Sequence, residues 1–212
     1  MTNNLKTLAP VDIEIYKTLD MPLDEADNYG YTYEQVLDSK LSVRETLEKL
    51  DFNPDLYFTD ILEFNVYAVN DITIKETLGT AFDEVLKEQP YLAYDSAETF
   101  VKLSDYNKVA KLYGLDTLSL KDNEYILVAD FDQWINIRNK GLKANTKITL
   151  LGKDYYPKYD HTVDGFINIS NNHINIGFFV VPDDAVDESI REQNIMIANY
   201  KAKSEDAKKE IE

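Results

Sequence analysis

The chain has 212 residues, a formal net charge of −17, 44% hydrophobic residues and no cysteine. This length and hydrophobic content predict one large or two small packed domains and disfavour intrinsic disorder. The acidic charge disfavours nucleic-acid binding, which needs basic patches, and the lack of cysteine excludes disulfides, zinc–thiolate sites and cysteine nucleophiles.

The first third of the chain predicts two strands and a helix. Apolar and acidic residues alternate at 11–16, as they do in a half-exposed strand. A polar, tyrosine-rich loop follows at 20–31. Ser42 and Glu45 have the spacing of a capping box, in which each side chain accepts the other residue's backbone N–H at the start of a helix. Residues 64–69 predict the next strand.

The middle of the chain is richer in strands. Thr73 and Glu76 form a second capping-box pair, and the helix that they begin is interrupted near Gly79. Ser104 is placed to cap a further helix, and Gly114 to end it at position C′. The strands predicted here cover residues 99–103, 124–131, 146–151 and 166–169.

The last section predicts a repeated order of strand and helix. A strand at 174–181 precedes a short helix that begins at 182–184, and a strand at 194–200 precedes a charged helix from Ser204. This order suggests half of a split, ferredoxin-like fold.

No apolar run of the sequence is long enough to span a membrane. The longest run, at 176–181, falls far short of the ~20 residues that a spanning helix needs. Residues 1–4 lack the basic and apolar regions of a signal peptide. Two explanations fit: a cytosolic protein, or a segment between two membrane helices of a longer chain. The helical pattern at 201–212 has no stop signal, which favours the second explanation.

The sequence predicts no catalytic site and no cofactor. It contains neither a phosphate-binding glycine loop nor the G-x-S-x-G pattern of serine hydrolases. His161 and His173 lack the ligand spacing of a zinc site on one element, and the acidic loop at 20–31 fails the register of an EF-hand. We therefore expect a protein that is not an enzyme and that holds no metal.

Two groups of residues are candidates for ligand binding. Carboxylates of the 20–31 loop would attract a cationic ligand, and the alternative is a plain solvated loop. The tyrosine-rich segment 154–161 predicts either a recognition loop or the edge of a β-hairpin. The candidate residues of both groups are Asp20, Asp24, Glu25, Asp27, Tyr155, Tyr156 and Tyr159.

Several short segments resemble one protein family. SDYNKVAKLYG at 104–114, followed by LKDNEYILV at 120–128, resembles a recurrent segment of FtsX-like (MacB-superfamily) ABC transporter permeases of Gram-positive bacteria. In those proteins the segment lies in the large extracellular loop. NLKTLAPVDI at 4–13 is similar to the way in which such loops leave the membrane, and NIMIANYK at 194–201 to the way in which they return.

The resemblance implies an α+β fold with two lobes. Residues 1–94 and 171–212 would form a split β-α-β, ferredoxin-like (Porter-type) lobe near the membrane. Residues 95–170 would form an inserted, strand-rich (Sabre-like) lobe.

The resemblance also implies a location and partners. The domain would stand on the extracellular face of the cell membrane, joined to the rest of the permease, while a separate cytosolic ATPase supplies the energy. It would bind substrate or transmit ATP-driven motion to an external partner, such as a cationic peptide, a lipid or a cell-wall protein. Two alternatives stay open: antimicrobial-peptide sensing or resistance in a bacitracin-type permease, and an unrelated soluble cytosolic binding protein.

Overall fold

The computed structural model shows a mixed α+β protein with a curled, mixed sheet, which confirms the predicted fold class. It describes residues 13–19, 30, 32–93, 97–112, 114–129, 132–144, 146–163, 177–187 and 193–211. The chain divides into two compact units, one formed by Met1–Val66 with Glu192–Glu212 and the other by Tyr67–Arg191. The lobes predicted at 1–94 with 171–212 and at 95–170 stay a prediction, as does their Porter-type and Sabre-like architecture.

The first unit joins the two ends of the chain. Its strand order is β1-β8-β2, and β1 runs antiparallel to β8, with Ile13 opposite Tyr200. The strands predicted at 11–16 and 194–200 are therefore neighbours in this unit. Its elements are β1 (Ile13–Leu19), α1 (Tyr33–Ser39), α2 (Val43–Lys49), α3 (Pro54–Tyr57), residues 58–66 of β2 (Phe58–Thr73), β8 (Gln193–Ala202) and α8 (Glu205–Ile211).

Local capping explains where the helices of the first unit begin. Ser42 caps α2 as predicted, since its hydroxyl accepts the N–H of Glu45 at 3.1 Å and Glu45 accepts the N–H of Ser42. Thr32 begins α1 with the same reciprocal pair, which the sequence analysis missed. Asn53 and Pro54 also begin a helix, α3, because proline at the first helical position needs no N–H partner.

The second unit contains the longer part of the sheet. Its strand order is β2-β3-β7-β4-β6-β5. Strands β3 and β7 are parallel, as are β4 and β6, whereas β4 and β7 and the hairpin β5–β6 are antiparallel. Its elements are residues 67–73 of β2, α4 (Ile74–Leu78), α5 (Phe82–Glu88), β3 (Ala97–Lys102), α6 (Leu103–Leu112), β4 (Glu124–Val128), α7 (Asp132–Lys143), β5 (Ile148–Leu150), β6 (Lys153–Pro157) and β7 (Phe178–Val181).

The main core of this unit lies on one face of its strands. Alternate residues along a strand point to the same face, so β4, β5 and β7 each contribute every second residue. The ring of Phe179 lies 5.2 Å from that of Phe100 and 5.2 Å from that of Tyr125. The buried cluster contains Tyr67, Val69, Ile72, Phe100, Tyr125, Leu127, Leu142, Ile148, Leu150, Tyr155, Phe179, Val181, Ala185 and Val186.

Three sequence-based predictions in this unit need correction. Strand β4 ends at Val128 rather than at 131, and the helix α7, which follows it, was not predicted. Ser104 does not cap α6, because the helix already begins at Leu103. The backbone N–H of Ser104 donates instead to Asp183 Oδ1 at 2.9 Å. Residues 182–187 contain a turn at 183–184 and no helix.

Other predictions hold or fall outside the described residues. Thr73 and Glu76 cap α4, the helix is interrupted at Gly79, and Gly114 ends α6 with a positive φ of 68°. The strand expected at 166–169 and most of the loop at 20–31 lie outside the residues that the structure describes. No helix of the described segments is long and apolar enough to cross a membrane.

Candidate binding groove

The second unit contains a groove with a volume of about 480 Å³, which lies between its strand β5 and the end of β2. Binding sites for small ligands commonly enclose ~300–1,000 Å³, so the groove is large enough to hold one. Its lining residues are Val69, Ile72, Glu76, Lys147, Ile148, Thr149, Leu150, Leu151 and Gly152.

One wall of the groove is the edge of β5. Ile148 and Leu150 are buried while Thr149 between them is exposed, so their side chains point to opposite faces. Consecutive residues of a strand can all line one cavity only if the cavity follows the strand's edge, where the backbone groups lie. In the strand order of the described residues, β5 is the last strand and pairs only with β6.

The opposite wall comes from the other end of the strand order. Val69 and Ile72 belong to β2, and Glu76 belongs to the first turn of α4. Strands β2 and β5 stand at opposite ends of this unit's order and nevertheless line one groove. The curl of the sheet therefore creates the groove, and no local stretch of sequence contains it.

Among the described residues, the groove has one carboxylate that no cationic side chain pairs with. Glu76 is exposed, and its Oε2 accepts the backbone N–H of Thr73 at 3.0 Å. Among the residues that the structure describes, no cationic side chain pairs with it. Lys147, in contrast, pairs with Asp154 at 2.6 Å. Within the described residues, Lys147 is thus paired and Glu76 is the groove's carboxylate without a cationic partner.

Hydrogen bonds across the hairpin hold Asp154 in its charged form. Its carboxylate accepts from Lys147 Nζ at 2.6 Å and from Thr149 Oγ1 at 2.7 Å. The bonds from Lys147 and Thr149 lower the pKa of Asp154, and the bond to Asp154 raises the pKa of Lys147. This polar face fixes β5 against β6 and leaves the far edge of β5 to the groove.

The turn that ends β5 carries an unusual residue. Leu151 and Gly152 have φ angles of 48° and 78°, the positive pair that defines a type I′ hairpin turn. A leucine in this left-handed region costs roughly 1–2 kcal/mol, and asparagine or glycine is the usual choice. Leu151 is also 55% exposed, at the end of the groove. The turn thus keeps an apolar side chain at the surface at some cost in stability.

Helix α7 contacts the elements that carry both walls of the groove. A side chain on Gly141 would place its Cβ 2.7 Å from the carbonyl oxygen of Thr77, so α4 approaches α7 as closely as glycine allows. Thr146 Oγ1 donates to the carbonyl of Gly141 at 3.1 Å, and the carbonyl of Thr146 accepts from the Tyr125 hydroxyl at 2.7 Å. Helix α4, which carries Glu76, and Thr146, which precedes β5, therefore both contact Gly141 of α7.

The predicted binding tyrosines lie in different environments. Segment 153–157 is strand β6, and Tyr155 belongs to the core with 1% exposure, which leaves its ring almost no surface for a ligand. Tyr156 and Tyr159 are 41% and 36% exposed. The Tyr159 ring stacks on His161 with centroids 5.4 Å apart. Neither of these two residues lines the groove.

The other candidate site residues either lie outside the described residues or do not line the groove. Asp20, Asp24, Glu25 and Asp27 lie outside the residues that the structure describes, as does His173. His161 contacts Asp160, with Nδ1 2.9 Å from Oδ1. The described part of the chain contains no group of three or more histidine, aspartate or glutamate side chains that could hold a metal ion.

The groove was not predicted from the sequence. The residues that could have pointed to it are the capping-box residue Glu76 and the Leu151–Gly152 pair at the end of a predicted strand. A scan against protein-family models, a search of curated proteins and a search of solved structures found no match for this chain.

Proposed function

We propose that the chain is the non-catalytic extracellular domain of an FtsX-like ABC transporter permease. It binds a substrate or an external partner and couples that partner to movement driven by a cytosolic ATPase. The observation that carries the proposal is the pairing of the first and last strands, β1 and β8. The resemblance of residues 104–128 to the family's extracellular loop adds to it.

The strand pairing fits a domain inserted between two membrane helices. Such a domain must send both of its ends toward the same membrane face. Ile13 lies opposite Tyr200 in an antiparallel ladder, so the start of β1 and the end of β8 are adjacent. Helix α8 follows directly, and Ser204 caps it by accepting the N–H of Ala207 at 3.1 Å.

The groove supports binding rather than catalysis. Most of its lining residues are apolar, and its charged groups are one exposed carboxylate and one lysine that is already paired. Nucleophilic catalysis requires a nucleophile within hydrogen-bond reach of a base, and the lining residues contain no such pair. A partly apolar groove with few polar groups is typical of a recognition site.

Introduced cysteines test the location, since the natural chain has none. Asp116 is exposed and Val180 is fully buried. In intact cells that make the full-length parent protein, a membrane-impermeant maleimide should label the Asp116→Cys variant. The Val180→Cys variant should react only after denaturation, which controls for unfolded protein. Labelling of Asp116→Cys only after cell lysis would contradict the proposal.

A further inference from the structure

We propose that the groove receives an extended segment of another polypeptide, which adds a strand to the edge of β5 that no strand of the described residues pairs with. An apolar side chain of that segment would lie against the exposed Leu151, and a lysine or arginine beside it would face Glu76. The inference rests on the proposed function only in taking the natural partner to be external.

The hairpin directs backbone groups of β5 into the groove. Its two-residue type I′ turn places Leu150 and Lys153 in the hydrogen-bonded pair next to the turn. Hydrogen-bonded and non-hydrogen-bonded pairs alternate along an antiparallel ladder. The Thr149–Asp154 pair is therefore of the second kind, and the N–H and C=O of Thr149 point away from β6. These are the groups that an added strand would bind.

The walls supply specificity that so short an edge does not. Strand β5 has three residues, so main-chain hydrogen bonds alone would hold a partner weakly. In strand addition, the pockets for alternate side chains select the partner. Leu151, 55% exposed at the turn, offers the apolar contact, whereas Val69, Ile72 and Leu150 are 8%, 6% and 1% exposed and form the closed floor of the groove.

Charge selects a basic partner over a second copy of this chain. Glu76 has no cationic partner in the described part of the structure, and Lys147 is already bound to Asp154. Two copies, each with a net charge of −17, would repel each other. A basic segment meets attraction from both the groove and the whole molecule.

A synthetic peptide provides the probe. We would titrate the whole chain with acetyl-Thr-Lys-Val-Thr-Leu-Lys-Val-Thr-amide and record amide chemical shifts and hydrogen exchange by NMR. The amide of Thr149 should become protected from exchange when the peptide binds, and the signals of residues 147–152 should shift. An acidic peptide with glutamate in place of both lysines should bind at least tenfold more weakly.

Two substitutions at Thr149 isolate the backbone contact. Thr149→Pro removes the N–H that faces the groove and keeps the hydrogen bonds to β6, as proline does on edge strands. Thr149→Val keeps the N–H and loses the hydroxyl. Since Thr149→Pro loses the hydroxyl as well, the two variants differ in the backbone N–H. The proline variant should bind the probe about tenfold more weakly than the valine variant, the order expected for one lost hydrogen bond.

Glu76→Gln tests the charge without removing the helix cap, because glutamine also serves at the third position of a capping box. Its affinity for the lysine probe should fall by up to about fivefold, the range for one exposed ion pair. Its affinity for a probe with norleucine in place of lysine should be unchanged.

Two results would overturn the inference. One is probe binding that Thr149→Pro and Thr149→Val weaken equally. The other is a dimer of the natural chain, seen by sedimentation, that Thr149→Pro converts to monomer while the probe fails to bind. Both are measured on purified protein, so they are distinguishable from a failure of the cysteine-labelling experiment in cells.

Discussion

Arg138 donates two parallel hydrogen bonds to the carboxylate of Glu98, Nη1 to Oε1 and Nη2 to Oε2, each at 2.6 Å. The side chains are 1% and 3% exposed. The hydroxyl of Thr77 bonds to the same Oε1 and accepts from Arg138 Nη1 at 3.0 Å. One buried network thus joins α7, β3 and α4, the helix that carries the groove residue Glu76.

Breaking this pair should be strongly destabilising. Arg138→Met leaves the Glu98 carboxylate buried without its partner, which typically costs about 3–5 kcal/mol. That is a large part of the roughly 5–15 kcal/mol by which a domain is stable. Urea unfolding followed by circular dichroism would measure the loss.

Two control variants test whether the unpaired Glu98 carboxylate causes the loss of stability. The double variant Arg138→Met with Glu98→Leu should regain most of the lost stability, because a well-packed apolar pair often replaces a buried ion pair without loss. Lys140→Met, on the same helix, removes surface pairs with Glu84 and Glu88 and should have little effect. If the double variant is as unstable as Arg138→Met, the unpaired charge is not the cause.

Local features of the fold were predictable from the sequence. Ser42 with Glu45 and Thr73 with Glu76 marked helix starts, and Gly114 marked a helix end, because each acts within one helical turn.

Features that depend on distant residues were not predictable. Helix α7 is polar at several positions, and its Arg138 is buried only because Glu98, 40 residues away, neutralises it. Ser104 resembled an N-cap, but Asp183, 79 residues away, binds its N–H instead. The groove likewise requires β2 and β5 to meet, which follows from the curl of the whole sheet.

Gly141→Ala should destabilise the protein despite the higher helix propensity of alanine. The added Cβ would lie 2.7 Å from the carbonyl oxygen of Thr77 and 3.1 Å from Cα of Leu78, both backbone atoms. Overpacking of this kind costs about 1–3 kcal/mol, and a clash with two backbone atoms belongs to the upper part of that range, above the gain of roughly 1 kcal/mol in helix propensity. Thermal unfolding would measure the change, and Lys143→Ala, exposed on the same helix, is the matched control. Equal or greater stability of Gly141→Ala would mean that α4 and α7 are less closely packed.

Stability should decline at alkaline pH because of buried tyrosines. Burial raises the pKa of Tyr106 to about 12, whereas an unfolded tyrosine has a pKa of about 10. The stabilisation is fully present below pH 10, where both states keep the proton. It is lost between pH 10 and 12, where the unfolded chain gives up the proton and the folded chain does not.

Tyr106→Phe should therefore flatten this decline by up to about 1.4 kcal/mol per pH unit. Urea unfolding at pH 9, 10 and 11 would give the slopes for both proteins. Tyr156→Phe, at an exposed position, should lose stability with pH at the same slope as the natural protein. Identical slopes for all three proteins would show that Tyr106 does not couple folding to pH.

Leu151→Asn should separate stability from binding at the groove. Asparagine before glycine is favoured in a type I′ turn, so relief of the positive φ of Leu151 should raise the free energy of unfolding by about 0.5–1 kcal/mol. The same change removes an exposed apolar side chain from the groove and should weaken binding of the basic probe peptide several-fold. Leu115→Asn, at another exposed leucine outside the groove, should alter neither quantity. Chemical unfolding and peptide titration of the same samples would decide. A variant that becomes more stable and binds the peptide unchanged would show that the strained leucine does not serve the groove.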